Sequence, residues 1–266
     1  MMQELFNFGL VSKFGLIEHG SEPGLFLLGV GSGVFLPIAA LYLLLIIAGY
    51  LLGSLNAGII ISKLAYRDDI RKYGSGGAGA TNMLRTYGKS AAAVTFMLDG
   101  IKTVAAVLIG VIFFGNNSDF ITIFAGPYIG GLASIVGHSF PVYYKFKGGK
   151  SVAAAFFMVL CTQPFIALVC LAIFIGIVWS TKYVSVGSVM SIVVYPLILN
   201  RFTGIGLHNL IAVIIMVLIV LRHRDNIKRV WAGKENKISF RKKDKKSAGA
   251  DASVPAKTEI AEDEEE

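Results

Sequence analysis

Seven apolar stretches separated by short polar connections fill the chain from residue 35 to residue 221: 35–62, 90–115, 120–140, 151–162, 165–180, 184–199 and 207–221. A helix needs about 20 such residues to cross the hydrocarbon core of a bilayer, and most of these stretches approach or exceed that length. Only 151–162 falls well short. Across all 266 residues, apolar side chains make up 55% and charged ones 16%, against roughly 25% charge in a soluble domain. That balance excludes a soluble globular protein, a disordered chain and a collagen-like one. The two cysteines, Cys161 and Cys170, lie in apolar runs and cannot build a disulfide framework. Gly and Pro punctuate the breaks, as at Pro164 and Gly204, and the stretches are too long for the roughly ten-residue strands of an outer-membrane barrel. The chain reads as an all-α membrane protein, a bundle of seven transmembrane helices.

Charge sets the orientation, because short cytoplasmic connections carry the Lys/Arg excess. Lys63, Arg67, Arg71, Lys72, Arg85 and Lys89 follow the first span, Lys145, Lys147 and Lys150 the third, and Lys182 the fifth; twelve more bases begin at Arg222. Together they are 22 of the 25 bases, all on one side. An odd number of spans then puts the N-terminus outside and the C-terminus in the cytoplasm, in a multi-pass protein of the plasma membrane. Residues 1–34 read as an N-terminal extension; the first 24 hold one base, Lys13, against three acids, so they lack the basic start of a signal peptide. The transmembrane domain covers 35–240. Residues 241–266 form a disordered charged tail, basic at its start and able to touch anionic headgroups. A net charge of +8 suits anionic lipid or a negatively charged substrate. Its placement beside membrane spans argues against nucleic acid.

Three polar islands lie on the basic side. The first, Gly74 to Arg85, contains Gly74, Gly76 and Gly79 in dinucleotide-motif spacing, with Asp99 twenty residues on. The context fails, because residues 67–73 are charged rather than an apolar strand and Asp99 lies within a span. What survives is a run of small residues whose backbone N–H groups can nest an anion. Ser75, Thr81, Asn82 and Arg85 add donors. In the second island, Gly149-Lys150-Ser151 imitates the end of a P-loop, but Tyr144 stands where the first glycine belongs. Lys147 and Lys150 flank two glycines at a helix start and can grip a phosphate, while His138 is either part of that site or an interfacial anchor. The third island runs from Arg222 to Lys237. On a continuing helix, His223 and Asn226 share a face. A basic membrane anchor explains the arginines of this island but not His223, Asn226, Gly233 or Glu235, and a flexible interhelical loop is the alternative for the glycines of the first. Asp99 and Lys102, three apart inside a span, read as a structural pair, and Ser54, Gly58 and Ser62 as a face for close helix packing. The sequence carries no metal-binding or nucleotide constellation, and no cofactor is expected.

Read together, the islands resemble the integral membrane acyl-phosphate:glycerol-3-phosphate 1-O-acyltransferases of bacterial phospholipid synthesis. The resemblance covers about residues 50–237 and rests on three motifs in order. They are Asp69-Ile70-Arg71-Lys72-Tyr73-Gly74-Ser75-Gly76 with Gly79-Ala80-Thr81-Asn82, then Gly137-His138-Ser139-Phe140-Pro141 with Phe146-Lys147-Gly148-Gly149-Lys150, and last Arg222-His223-Arg224-Asp225-Asn226-Ile227 with Gly233, Glu235 and Lys237. The resemblance implies seven spans, an outside N-terminus and a cytoplasmic active site. It also implies acyl phosphate and glycerol 3-phosphate as substrates, with lysophosphatidic acid and phosphate as products. An acyl-phosphate-producing enzyme is the implied partner, and no cofactor is needed. Ser75, Arg85 and Lys150 would bind phosphate with Ser188, and His223 and Asn226 would line the reacting centre. The proton of the glycerol hydroxyl would pass to His223 or to the acyl phosphate itself. Gly77, Ser151, Ala154 and Asn56 depart from the family's usual Asn, Gly, Thr and Pro, which keeps an inactive or substrate-shifted paralogue open beside the enzyme. An organic-anion transporter also remains, although it would place its polar residues near mid-membrane. A metal-dependent phosphotransferase would need a carboxylate cluster that Asp68, Asp69, Asp99 and Asp225 do not form.

Overall fold

The structure, a computed structural model, describes residues 38–114, 125–204 and 206–238. The N-terminal extension, part of the connection at 115–124 and the charged tail lie outside the described residues. Within them the chain is helix and turn: α1 (Ile38–Ser54), α2 (Ala57–Tyr66), α3 (Ala80–Tyr87), α4 (Lys89–Phe114), α5 (Ala125–Ser139), α6 (Val152–Thr162), α7 (Pro164–Thr181), α8 (Val184–Thr203), α9 (Gly206–Arg222) and α10 (Arg224–Trp231). Where it is described, each of the seven apolar stretches is mainly helical. Four helical segments are long and apolar enough to cross a membrane: Ala40–Tyr66, Lys89–Phe114, Pro164–Thr181 and Val184–Thr203. A fifth is reached if α9 and α10, bent by 54° where they meet, are taken together. With 11 residues, α6 is about 16 Å long, roughly half of a hydrocarbon core.

Local chemistry sets the ends of these helices. Pro164 occupies the first turn of α7, where its missing N–H would have been unpaired in any case. Arg67, Lys182 and Gly204 close α2, α7 and α8 in the left-handed conformation. The first apolar run, continuous in sequence, is broken at Leu55–Asn56 into α1 and α2. The carbonyl of Leu55 at the break accepts a hydrogen bond from Lys102 Nζ at 2.6 Å.

Small residues bring the helices together. A side chain at Gly53 of α1 would collide with the Ser134 backbone of α5, and one at Gly110 of α4 with the Gly126 backbone. The Ser54, Gly58 and Ser62 face packs helices as expected, with Gly137 of α5 against Ser54 and Thr95 of α4 beside Gly58, and it also seats loops. Gly58 lies against the Ala78 carbonyl, and Ser62 Oγ accepts from Ile70 N at 3.2 Å. The first polar island is therefore clamped to the end of α1–α2. A core including Ile135, Met158, Ile192, Tyr195 and Ile215 fills the space among α5, α6, α8 and α9. The islands are left at one end of the bundle.

A buried polar cluster ties α4 to α5. Lys102 Nζ reaches Asp99 Oδ1 at 2.8 Å and donates to His138 Nδ1 at 2.9 Å, besides the Leu55 carbonyl. Asp99 Oδ1 also accepts from Ala57 N at 3.3 Å. The expected Asp99–Lys102 pair is present, and it extends to a third residue.

Candidate functional site

The glycine-rich loop of the first island is organised by Asn82 at the start of α3. Its Nδ2 donates to the carbonyls of Ile70, Tyr73 and Gly77 at 3.2, 3.0 and 2.8 Å, and its Oδ1 accepts from Ser75 N at 3.0 Å. With all its capacity spent on backbone, Asn82 shapes the loop from beneath. Gly74 and Gly76 adopt positive φ of 57° and 69°, which glycine does without strain. The turn leaves Ser75, Gly77, Gly79 and Thr81 along one wall of a cavity of about 220 Å³. Arg85, one turn along α3, joins that wall and donates to the Asn236 carbonyl at 3.1 Å.

The second island is braced by arginines that charge asymmetry alone had seemed to explain. Arg222 donates to the carbonyls of Gly149 and Gly148 at 3.1 and 3.0 Å and lies over the Phe140 ring. Arg71, paired with Asp69 at 2.6 Å, donates to the Lys147 carbonyl at 3.2 Å. Gly149 N donates to the His138 carbonyl at 3.0 Å, and a Cβ at Gly149 would collide with the His138 ring. Both glycines are required by these close approaches. The loop so held aims Lys150 into the cavity, where its ammonium donates to Asn226 Oδ1. Burial pushes Lys150 down to about 8.

The third island departs from the expected continuing helix. At His223 the chain bends, and its N–H is shared between the carbonyls of Ile219 and Val220 at 3.1 and 3.0 Å. The bend turns α10 and the residues after it back over α8. His223 and Asn226 are both buried and both line the cavity. His223 Nδ1 donates to the Ile219 carbonyl at 2.8 Å, so in the neutral ring Nε2 is the acceptor. Asn226 Nδ2 donates to Glu235 Oε1 at 2.7 Å, Ser185 Oγ donates to the same oxygen at 3.1 Å, and Arg229 Nε donates to Oε2 at 2.8 Å. Burial opposes the charge of Glu235, but the hydrogen bonds from Asn226 and Arg229 outweigh it and hold the carboxyl below its ordinary value.

Most of the residues singled out in the sequence converge. Ser75, Gly79, Asn82, Arg85, His138, Lys150, Ser188, His223 and Asn226 line the one cavity. Gly76 and Lys147 do not: Gly76 serves the turn, and Lys147 is exposed, with its carbonyl rather than its ammonium used by Arg71. The hydroxyl of Ser188 is committed to the Val184 carbonyl at 2.9 Å, and His138 is engaged by Lys102. Glu235, Ser185 and the arginine braces were not anticipated as parts of the site. Of the departures, Gly77 lines the cavity with Ser75 Oγ 3.6 Å from where its side chain would begin, an ordinary contact, whereas Ala154 is buried in the core. Ser151 adopts φ 60° and satisfies its hydroxyl with Ser139 Oγ at 2.6 Å and the Ile135 carbonyl at 2.9 Å. Asn56 donates to the His138 carbonyl at 3.2 Å. None of the four removes a cation from the cavity.

The three islands also mark out known relatives. The sequence profile of a family described as glycerol-3-phosphate acyltransferase matches residues 43–233. A protein of that name from Thermoanaerobacter pseudethanolicus is 41% identical over 192 residues, spanning 72% of this chain and 93% of its own length. Another from Finegoldia magna is 41% identical over 204 residues, 74% of this chain and 98% of its own. Among solved structures, the glycerol 3-phosphate form of PlsY, an integral membrane glycerol 3-phosphate acyltransferase, superposes with TM-score 0.69 at 37% identity, over 74% of this chain and 96% of that one. Its lysophosphatidic acid form superposes with TM-score 0.65. Most of the helical frame and the three islands as far as Gly233 fall inside residues 43–233, and the chain belongs to the glycerol-3-phosphate acyltransferase family.

Proposed function

We propose that this protein transfers an acyl group from acyl phosphate to the 1-hydroxyl of glycerol 3-phosphate, forming lysophosphatidic acid and phosphate for phospholipid synthesis. The observation that carries the reading is one cavity in which Lys150, Arg85, Ser75 and the backbone of a glycine-rich turn meet His223 and Asn226. Two phosphates must approach one another in this reaction, and converging cations with N–H donors offset that repulsion. Ser75, Arg85 and Lys150 hold the phosphates, with Gly76, Gly79, Asn82, His138 and Lys147 shaping the two loops and Ser188 closing the apolar side. The glycerol oxygen attacks the acyl carbonyl carbon, the bond from that carbon to the phosphate oxygen breaks, and phosphate leaves with the electron pair. The hydroxyl proton passes to His223 Nε2 or to the departing phosphate. An acyl phosphate is already activated, so holding the reactants in line supplies much of the acceleration.

The same reading places seven spans across the plasma membrane, with the N-terminus outside and the cavity open to the cytoplasm. The side-specific bases and the helices on all seven apolar stretches support it. An enzyme that makes acyl phosphate would work beside it. Purified protein given glycerol 3-phosphate with a mixture of dodecanoyl and hexadecanoyl phosphate should release phosphate without added metal or coenzyme A. Turnover with acyl-coenzyme A alone, or activity lost to a chelator and restored by magnesium, would overturn the proposal. For the orientation, cysteines at the exposed positions Lys72, Lys145 and Asn236, in a background lacking Cys161 and Cys170, should all resist a membrane-impermeant thiol reagent in intact cells. Labelling of any of them would refute a shared cytoplasmic face.

A further inference from the structure

A second cavity, of about 150 Å³, adjoins the polar one and is lined almost wholly by apolar side chains. Phe96, Val152, Phe174 and Ser188 belong to both. From that common rim the apolar cavity follows three helices away from the islands. On α8 its lining passes from Ser188 through Ile192 to Tyr195, and on α6 from Val152 through Phe156 to Val159. The α7 helix runs the other way, so its lining passes from Phe174 through Cys170 to Ala167. Each path advances by seven residues, about two helical turns or roughly 10 Å, which takes about eight methylenes of an extended chain.

All three paths stop at the same depth. Of the residues at that level, Val159 and Ala167 are small, whereas Tyr195 presents a full aromatic ring and is 1% exposed. One turn further along α8, Leu199 is completely buried in the core, as is Ile166 next to Ala167. The Tyr195 hydroxyl has no hydrogen-bond partner among the described residues. Ring bulk, rather than a polar link, is what Tyr195 contributes there.

We infer that Tyr195 is the floor of the acyl-chain cavity and sets the longest acyl chain the protein accepts efficiently. The inference rests on the acyl-transfer reading above. With the carbonyl carbon held near Lys150 and His223, the chain enters past Phe96 and Phe174, and its terminal methyl meets the Tyr195 ring. A chain that reaches the floor gains burial with each methylene. A longer one must bend away from the buried end toward the partly exposed side at Phe156 and Leu171, and its further methylenes gain no burial there.

The test is competition between dodecanoyl and hexadecanoyl phosphate, read as the ratio of their kcat/KM values for the purified full-length protein. The parent should favour the shorter chain. Tyr195→Ala should shift the ratio toward hexadecanoyl by tenfold or more, because each newly accommodated methylene is worth roughly fourfold. Tyr195→Phe, which keeps the ring, should leave the ratio where it was. Ala167→Leu, which fills the same level from α7, should shift preference toward octanoyl phosphate, and it carries the test if the Tyr195→Ala protein does not fold. A ratio unmoved by either substitution, in proteins that still release phosphate, overturns the floor alone. Absence of phosphate release from the parent with every chain length overturns the acyl-transfer reading.

Discussion

Two lysines, the buried Lys102 and the half-buried Lys150, belong to clusters that border the same cavity, and they are solvated by protein in opposite ways. Lys102 has three donors and three acceptors: Asp99, His138 and the Leu55 carbonyl. Lys150 donates to Asn226 Oδ1 alone among the described residues, and the carboxylate nearest in its network, Glu235, already accepts from Asn226, Ser185 and Arg229. A closed cluster holds helices together. An open one keeps donor capacity for something that is not protein. Burial of a cation therefore does not by itself mark a site; the number of its hydrogen bonds left unmade does.

Five substitutions test that contrast. Lys102→Ala should have the largest effect, about 3–5 kcal/mol of stability, because it strands Asp99 without its charge partner. Thermal unfolding in detergent would measure it, and an unchanged Tm would erase the distinction between the clusters. Lys150→Ala should leave Tm equal to or above the parent's while lowering kcat/KM by roughly ten- to a hundredfold, the worth of a lost charged hydrogen bond of ~1.5–3 kcal/mol. Arg85→Ala should behave likewise. The contrast sharpens with pH. Because burial depresses Lys150 to about 8, its ammonium is mostly present at pH 7 and is lost above pH 8. The KM for glycerol 3-phosphate should rise through that range, and Lys150→Arg, which keeps its charge there, should flatten the rise. Ser188→Ala should be the mildest, within about twofold in kcat/KM, because that hydroxyl's proton is already given to the Val184 carbonyl and such changes usually stay within about 0.5 kcal/mol.

What could be read in advance followed from local pattern. Apolar runs located the helices because hydrocarbon must face hydrocarbon, and the islands stood out because polar residues are costly elsewhere. The break at Leu55–Asn56 is marked only by Ser54 and Asn56, too few polar residues to end an apolar stretch. Literal motif counting brought in Gly76 and Lys147, one of which only turns the chain while the other faces solvent. Glu235 could not be found by spacing, because it becomes buried only when the chain bends at His223 and carries it back to Ser185. Arg222 was attributed to membrane orientation, and nothing in one dimension connects it with the carbonyls of Gly148 and Gly149. The pattern names the residues of each island, but the partners of Lys102 and Lys150, on which the distinction between frame and site depends, are set by tertiary contacts.

The rim shared by the polar and apolar cavities puts the reacting bond at a boundary between two solvents. On the acyl-transfer reading, glycerol 3-phosphate and phosphate exchange through the aqueous mouth, and both fatty species partition into the bilayer. The donor's working concentration is then a density per area of membrane rather than per volume of cytoplasm, and turnover depends on how crowded the leaflet is. Because the two products dissolve in different phases, neither obstructs the exit of the other. Phase partition thus separates the two products without any moving part of the protein.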